Sequence, residues 1–234
     1  MSVLEATPHK AQLQNYFDGL GFERWSAIYG EAPLSRIRHT IREGHGRMLA
    51  QAEAWLAESF PMPTAGATLL DAGCGTGLFS VRMAQQGFQV TAVDMAPRMV
   101  AAAQQAASDA NVAERICFQT GDIETIAGCF DAVACFDVLV HYPAESFERL
   151  CTQLAQQCKR TIVLTYAPYN RLLALMHWVG GRFPKSHRRT EIQMIRDERI
   201  AATLARAGMQ VRRTANISHG FYHVTLLEAS RRES

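Results

Sequence analysis

Apolar residues recur along this chain at two spacings. Met48, Leu49, Ala52, Trp55 and Leu56 fall three and four apart, which predicts a core-packed helix from about 46 to 58, ended by Pro61 and Pro63. The run Leu69-Leu70-Asp71-Ala72 reads as a strand, and Leu78, Phe79, Val81 and Met83 begin a helix after it. A second strand, Val90 to Val93, ends in Asp94, and Pro97 suits the first turn of a helix whose apolar face uses Met99, Val100, Ala103 and Ala107. Ile116 to Phe118 is a third strand. Phe130 to Phe136 is a fourth, nearly all apolar and so central in a parallel sheet. Phe147, Leu150, Cys151 and Leu154 mark the next helix, and Thr161 to Tyr166 the fifth strand. Leu172, Leu173, Leu175, Met176 and Val179 suggest an inserted apolar helix, within an insertion at about 170–190. A helix from Glu191 to Ala207, closed by Gly208, leads to two strands, Val211 to Ile217 and Tyr222 to Glu228, around Ser218-His219-Gly220. Strands alternating with helices predict an α/β fold. The sheet is mostly parallel and ends in an antiparallel hairpin.

Residues 1–46 stand outside that alternation and read as a helical arm, with 47–234 as the main domain. The arm carries Tyr16, Phe17, Phe22, Trp25 and Tyr29, and a cationic stripe of Arg36, Arg38, His39, Arg42 and His45. Gly19, Gly21, Gly30 and Gly44 are expected to break it into short pieces. It serves either as packing, the reading favoured for Phe17 and Phe22, or as a lid that opens over a ligand.

Composition narrows the class. Among 234 residues, 48% are hydrophobic and 20% charged, a balance able to build one core with additions. A net charge of +2 implies no field on the scale of a nucleic-acid binder. The six cysteines form no C-x-x-C pair, and several lie in apolar runs, so they read as reduced, buried residues of a cytosolic protein. No apolar run approaches the roughly 20 residues needed to span a bilayer.

The candidate chemistry starts at Asp71-Ala72-Gly73-Cys74-Gly75-Thr76-Gly77. Three glycines at alternate positions allow a sharp turn between strand and helix, and let a ligand approach the backbone. A dinucleotide-binding turn spaces its glycines G-x-G-x-x-G, and here the third comes one residue early. Asp94 at the end of the second strand can accept both hydroxyls of a ribose. Two acids suit a nucleoside with a cationic end better than a pyrophosphate. Gly121-Asp122-Ile123 suits an adenine: Asp122 accepts from its amine and Ile123 packs on its ring. The turn resembles motif I of the class I methyltransferases, and so implies a Rossmann-like, seven-stranded sheet and S-adenosyl-L-methionine as methyl donor. The expected cofactor positions are Asp71, Gly73, Cys74, Gly75, Asp94, Met95, Met99, Asp122, Ile123 and Phe136.

Four further stretches are more specific. They are Tyr16-Phe17-x-Gly-x-Gly21-Phe22-Glu23-Arg24-Trp25-x-x-Ile28-Tyr29-Gly30, Ile41-Arg42-x-Gly44-His45, Asp137-Val138-Leu139-Val140-His141-Tyr142-Pro143 and Arg182-Phe183-Pro184-x-Ser186. Together they resemble the magnesium-protoporphyrin O-methyltransferase family of (bacterio)chlorophyll synthesis, over essentially the whole chain. The resemblance implies that Tyr29 and His141 take part in catalysis on a porphyrin propionate. It implies the large subunit of magnesium chelatase as upstream partner, and a peripheral membrane contact. His141 also follows the fourth strand, at the carboxyl edge where α/β sheets bind ligands.

The carboxylate of a propionate is ionised at pH 7, so Tyr29 and His141 are expected to orient it rather than abstract a proton. Magnesium arrives with the substrate, so no protein-bound metal is expected. Arg182 to Arg189 reads first as a solvated basic loop, with contact to anionic lipid, the partner or the second propionate as the alternative. A methyltransferase of another small carboxylic acid, a quinone or RNA, or a non-catalytic pigment carrier, are the competing functions. Modest charge argues against RNA.

Overall fold

The structure is a computed structural model that describes residues 3–29, 35–61, 66–169 and 192–231. Strands β1 (Thr68–Ala72), β2 (Gln89–Asp94), β3 (Ile116–Thr120), β4 (Phe130–Cys135) and β5 (Cys158–Pro168) are parallel. β7 (Met209–His219) and β8 (Tyr222–Arg231) form the hairpin, and β8 enters beside β5 in the antiparallel sense. The order is β3-β2-β1-β4-β5-β8-β7. β1 thus lies between β2 and β4, where the order reverses and a crevice opens beyond the strands' carboxyl ends.

Successive side chains of a strand face opposite ways, and the core divides accordingly. Leu70, Val133, Cys135, Ile162 and Leu164 pack against Phe147, Leu150 and Leu154 of α6 (Ala144–Gln157) and Ile200 and Leu204 of α7 (Asp197–Arg206). Leu69, Ala132, Ala134 and Val163 face the other way, onto Met48, Leu49, Ala52, Trp55 and Leu56 of α3 (Arg36–Ser59) and Phe79 and Met83 of α4 (Leu78–Gln85). α5 (Pro97–Asp109) buries Met99, Val100, Ala103 and Ala107.

Several elements differ from the sequence-based expectation. The helix expected from about 46 starts at Arg36, capped by Ser35, whose hydroxyl accepts from Arg38 N at 3.4 Å. Gly44 does not break it. A Cβ there would lie 2.7 Å from Tyr222 Cβ, so the glycine is what lets α3 touch β8. The helix expected from Glu191 begins at Asp197, because Met194–Ile195 forms a short strand, β6, paired with the end of β5. β6 lies off the expected seven-strand path. Cys74, Cys135, Cys151 and Cys158 are buried and free, but Cys117 and Cys129 are exposed. The inserted apolar helix and the basic run Arg182–Arg189 lie outside the described residues.

The arm comprises α1 (Val3–Tyr16), a turn at Phe17–Gly21 where Gly19 leaves helical geometry, and α2 (Phe22–Tyr29). Leu13 is buried in the core, and Phe17 packs against it. Phe22 lies under the Arg98 guanidinium, 4.2 Å from its ring centre.

Candidate active site

The glycine turn is shaped by what presses on it. Gly73 has φ +85°, and a Cβ there would come 2.1 Å from Val138 Cγ2 in the loop after β4. No larger residue fits. The turn is also tied to β2: Gly73 N and Cys74 N both donate to Val93 O, and Gly75 N donates to Asp94 Oδ2 at 2.9 Å. Asp94 Oδ1 accepts from Ala96 N at 2.9 Å. These bonds fix the carboxylate and leave it acceptor capacity. Burial raises the Asp94 pKa even though its backbone donors pull it down. Asp71 lies deeper. Ser80 Oγ donates to its Oδ2 at 2.5 Å, and burial pushes the acid up to about 6.

A pocket opens beyond these strand ends, with a cavity volume of about 130 Å³. Asp71, Gly73, Cys74, Gly75, Asp94, Met95, Met99, Ile123, Phe136 and His141 all line it. A Cβ on Gly75 would meet nothing within 4 Å, so the backbone there is open to a ligand. Asp122 is not on the pocket wall. Its Oδ2 accepts from Lys10 Nζ at 2.6 Å and its Oδ1 from Glu124 N, while Lys10 also reaches Glu124 at 2.7 Å. The side chain of Tyr29 lies outside what the structure describes, although its backbone closes α2.

His141 ends a single helical turn, Leu139–His141, after β4. Its ring meets Phe17 edge-on at 5.3 Å, and His9 Nε2 lies 3.0 Å from its carbonyl oxygen. α1 therefore sits over the wall that carries Met95, Ile123 and His141. Gln14 adds a bond to Met95 O at 3.0 Å, and Asp18 accepts from Arg98 N at 2.9 Å. Tyr142 also lines the pocket, and its buried hydroxyl has no partner among the described residues.

The reading of motifs missed a second cluster. Asp137 sits just past β4 at φ +57°, a strained setting for a residue with a side chain. Tyr222 donates to its Oδ2 at 2.8 Å, Thr165 Oγ1 donates to its Oδ1 at 3.1 Å, and its own N–H donates back to Thr165 Oγ1. His45 Nε2 is 3.8 Å from the same Oδ2. Burial lowers the His45 pKa, Asp137 opposes that, and Arg82 adds to it. Trp25 lies tilted against the His45 ring at 5.9 Å. Trp25, His45 and Asp137 all face the pocket. The Gly44-His45 pair was the available signal: a glycine for close approach, followed by a titratable ring.

Glycine turn, acid-tipped β2, strand order and crevice define a class I methyltransferase. Comparison with known proteins agrees. A model described as "Methyltransferase domain" matches residues 69–161, and one described as "Magnesium-protoporphyrin IX methyltransferase C-terminus" matches 135–231. Magnesium-protoporphyrin O-methyltransferase of Synechocystis is 34% identical, covering 97% of this chain and 98% of that one. The chloroplastic magnesium protoporphyrin IX methyltransferase of Arabidopsis thaliana is 32% identical, covering 94% and 70%. The crystal structure of the enzyme from Synechocystis PCC 6803 with bound SAH superposes with a TM-score of 0.86, at 32% identity over 95% of this chain and 100% of that one. The chain belongs to the magnesium-protoporphyrin O-methyltransferase family. Among the described residues no group of three His, Cys, Asp or Glu could hold a metal ion, and no helix is long and apolar enough to cross a membrane.

Proposed function

We propose that this protein transfers the methyl group of S-adenosyl-L-methionine to a propionate carboxylate of magnesium-protoporphyrin IX, giving the monomethyl ester. One observation carries the reading. In a chain related to that family over nearly its whole length, a single pocket joins the glycine turn to the loop after β4. The donor's fit rests on the charges and the cradle. Asp71, Asp94 and Asp137 favour a sulfonium, Gly75 leaves its backbone accessible, and Asp94 keeps acceptor capacity for ribose hydroxyls.

The reaction is an in-line displacement in which a propionate oxygen attacks the methyl carbon and the sulfur leaves with the bonding pair. A carboxyl of pKa ~4.3 is already ionised at neutral pH, so no base is needed. Alignment can supply roughly 7–11 kcal/mol of the barrier. In this reading His141 and Tyr29 orient the attacking carboxylate. Support for His141 is its place on the pocket wall. Support for Tyr29 is the sequence resemblance and its position at the end of α2. Asp122 is held by Lys10 and Glu124 N, and its remaining acceptor capacity is what would serve the adenine amine. Of the arm expected over residues 1–46, α1 and α2 act as the lid over the main domain, with α1 as its cover, while 36–46 belong to the core-packed α3. The large subunit of magnesium chelatase as donor of the pigment, and a peripheral membrane contact, complete the proposal on the strength of the resemblance.

Incubation with labelled S-adenosylmethionine and a panel of porphyrins tests the function. A porphyrin methyl ester is expected. Label on a quinone or a small acid alone would replace this reading with another methyltransferase, and tight porphyrin binding without turnover would make the protein a carrier.

A further inference from the structure

Three carboxylates, Asp71, Asp94 and Asp137, line the pocket, and no lysine or arginine does so among the described residues. That balance suits a cationic donor. It is the wrong balance for an anionic acceptor, since a carboxylate taken from water into such a site needs a partner. Two imidazoles, His45 and His141, face the same space. They differ in their support. His141 is met by the edge of Phe17 and holds His9 through its backbone carbonyl. His45 has a carboxylate fixed behind it: Asp137, held by Tyr222 and Thr165, with Oδ2 3.8 Å from Nε2. The charged groups that face His45 are Asp137 after β4 and Arg82 on α4, with Asp71 and Asp94 across the pocket; Trp25 and Tyr222 present neutral rings.

We propose that His45 is the acceptor-binding cation of this protein, taking a proton from solvent as an anionic acceptor seats and holding its carboxylate while Asp137 holds the ring from behind. This rests on the reading that the acceptor carries a carboxylate. With the pocket empty of acceptor, burial outweighs the pull of Asp137 and favours the neutral ring. A second carboxylate a few ångströms away acts in the same direction as Asp137 and carries the ring to its charged form at neutral pH. Methyl transfer then removes the reason for the charge. The propionate oxygen forms its bond to the methyl carbon, the sulfur keeps the electrons of the broken bond, and the ester is neutral. The proton on His45 returns to solvent and the hold on the product weakens. Substrate and product are thus told apart at the same ring.

The test is calorimetry of magnesium-protoporphyrin binding to the protein loaded with S-adenosylhomocysteine, at pH 7.5 in buffers of different ionisation enthalpy. The wild type is expected to take up a large fraction of one proton, and none with the porphyrin dimethyl ester. His45→Gln is expected to lose the uptake and to bind the acid about tenfold more weakly, with S-adenosylhomocysteine affinity unchanged. His141→Gln is expected to keep the uptake. Equal uptake in His45→Gln, equal uptake with the dimethyl ester, loss of uptake in His141→Gln, or a parallel fall in S-adenosylhomocysteine affinity overturns the proposal. A wild type that esterifies the porphyrin without proton uptake overturns this inference alone. One that neither binds nor methylates porphyrin overturns the proposed function with it.

Discussion

Asp71 is 2% exposed beneath the glycine turn, and burial outweighs the Ser80 hydrogen bond in setting its pKa near 6. An acid raised from its unfolded value of about 3.9 binds more protons folded than unfolded between those two values. Its contribution is therefore fully present at low pH and is lost as pH rises from about 4 to about 6. Asp71→Asn removes that loss, so the stability of the variant relative to wild type should rise by about 2–3 kcal/mol between pH 4 and 7.5. Urea unfolding at several pH values measures this, and a constant difference would contradict the burial argument. Asp94 faces the opposite test. Its carboxylate is anchored by Gly75 and Ala96, so Asp94→Ala loses the expected ribose acceptor and the clamp on the turn together. Hydrogen bonds to a charged acceptor are worth about 1.5–3 kcal/mol, so affinity for S-adenosylmethionine should fall roughly ten- to a hundredfold. Undiminished binding by a folded Asp94→Ala protein would remove the residue from the site.

At the scale of elements, the joint between α3 and β8 decides where His45 stands. Gly44→Ala raises helix propensity by up to about 1 kcal/mol, but its Cβ would be 2.7 Å from Tyr222 Cβ. Overpacking of that kind costs roughly 1–3 kcal/mol, so the net change should be a loss, read as a lower melting temperature. Because Tyr222 holds Asp137, acceptor affinity should fall in the same variant more than cofactor affinity does. The contact between α1 and the main domain is lighter. Lys10 is bonded to Asp122 and Glu124 with its side chain 21% exposed, and partly exposed ion pairs contribute at most about 1 kcal/mol. Lys10→Met should leave global stability nearly unchanged and speed amide exchange across residues 8–16. Unaltered exchange there would mean that Leu13 and Phe17 hold the helix alone.

Over the whole molecule, what the sequence made legible was local. β1, the glycine turn and α4 are contiguous, and their periodicity and chemistry can be read within a dozen residues. Asp94 and Ile123 follow from strand ends. Asp137 could not be valued in this way, because its backbone strain and its partners Thr165 and Tyr222 come from 28 and 85 residues away. Gly44 was misread for the same reason: as a helix breaker it is a local signal, and as a contact surface it depends on β8. The engagement of Asp122 by Lys10 is likewise a meeting of distant segments. Hydrogen exchange across residues 16–45 should slow when cofactor and porphyrin are both bound, and identical exchange in free and bound protein would make the arm static packing. The position of β8 also has a consequence for synthesis. It lies between β5 and β7, and Tyr222 at its start completes the hold on Asp137. As the chain leaves the ribosome, the donor half can assemble from β1 to β4 while β5 still presents an unpaired, apolar edge. That edge invites pairing with other nascent chains until β8 emerges. A ribosome paused before residue 222 would therefore hold a chain able to fold around the donor but with no finished seat for the acceptor, and such intermediates are where a chaperone would be needed.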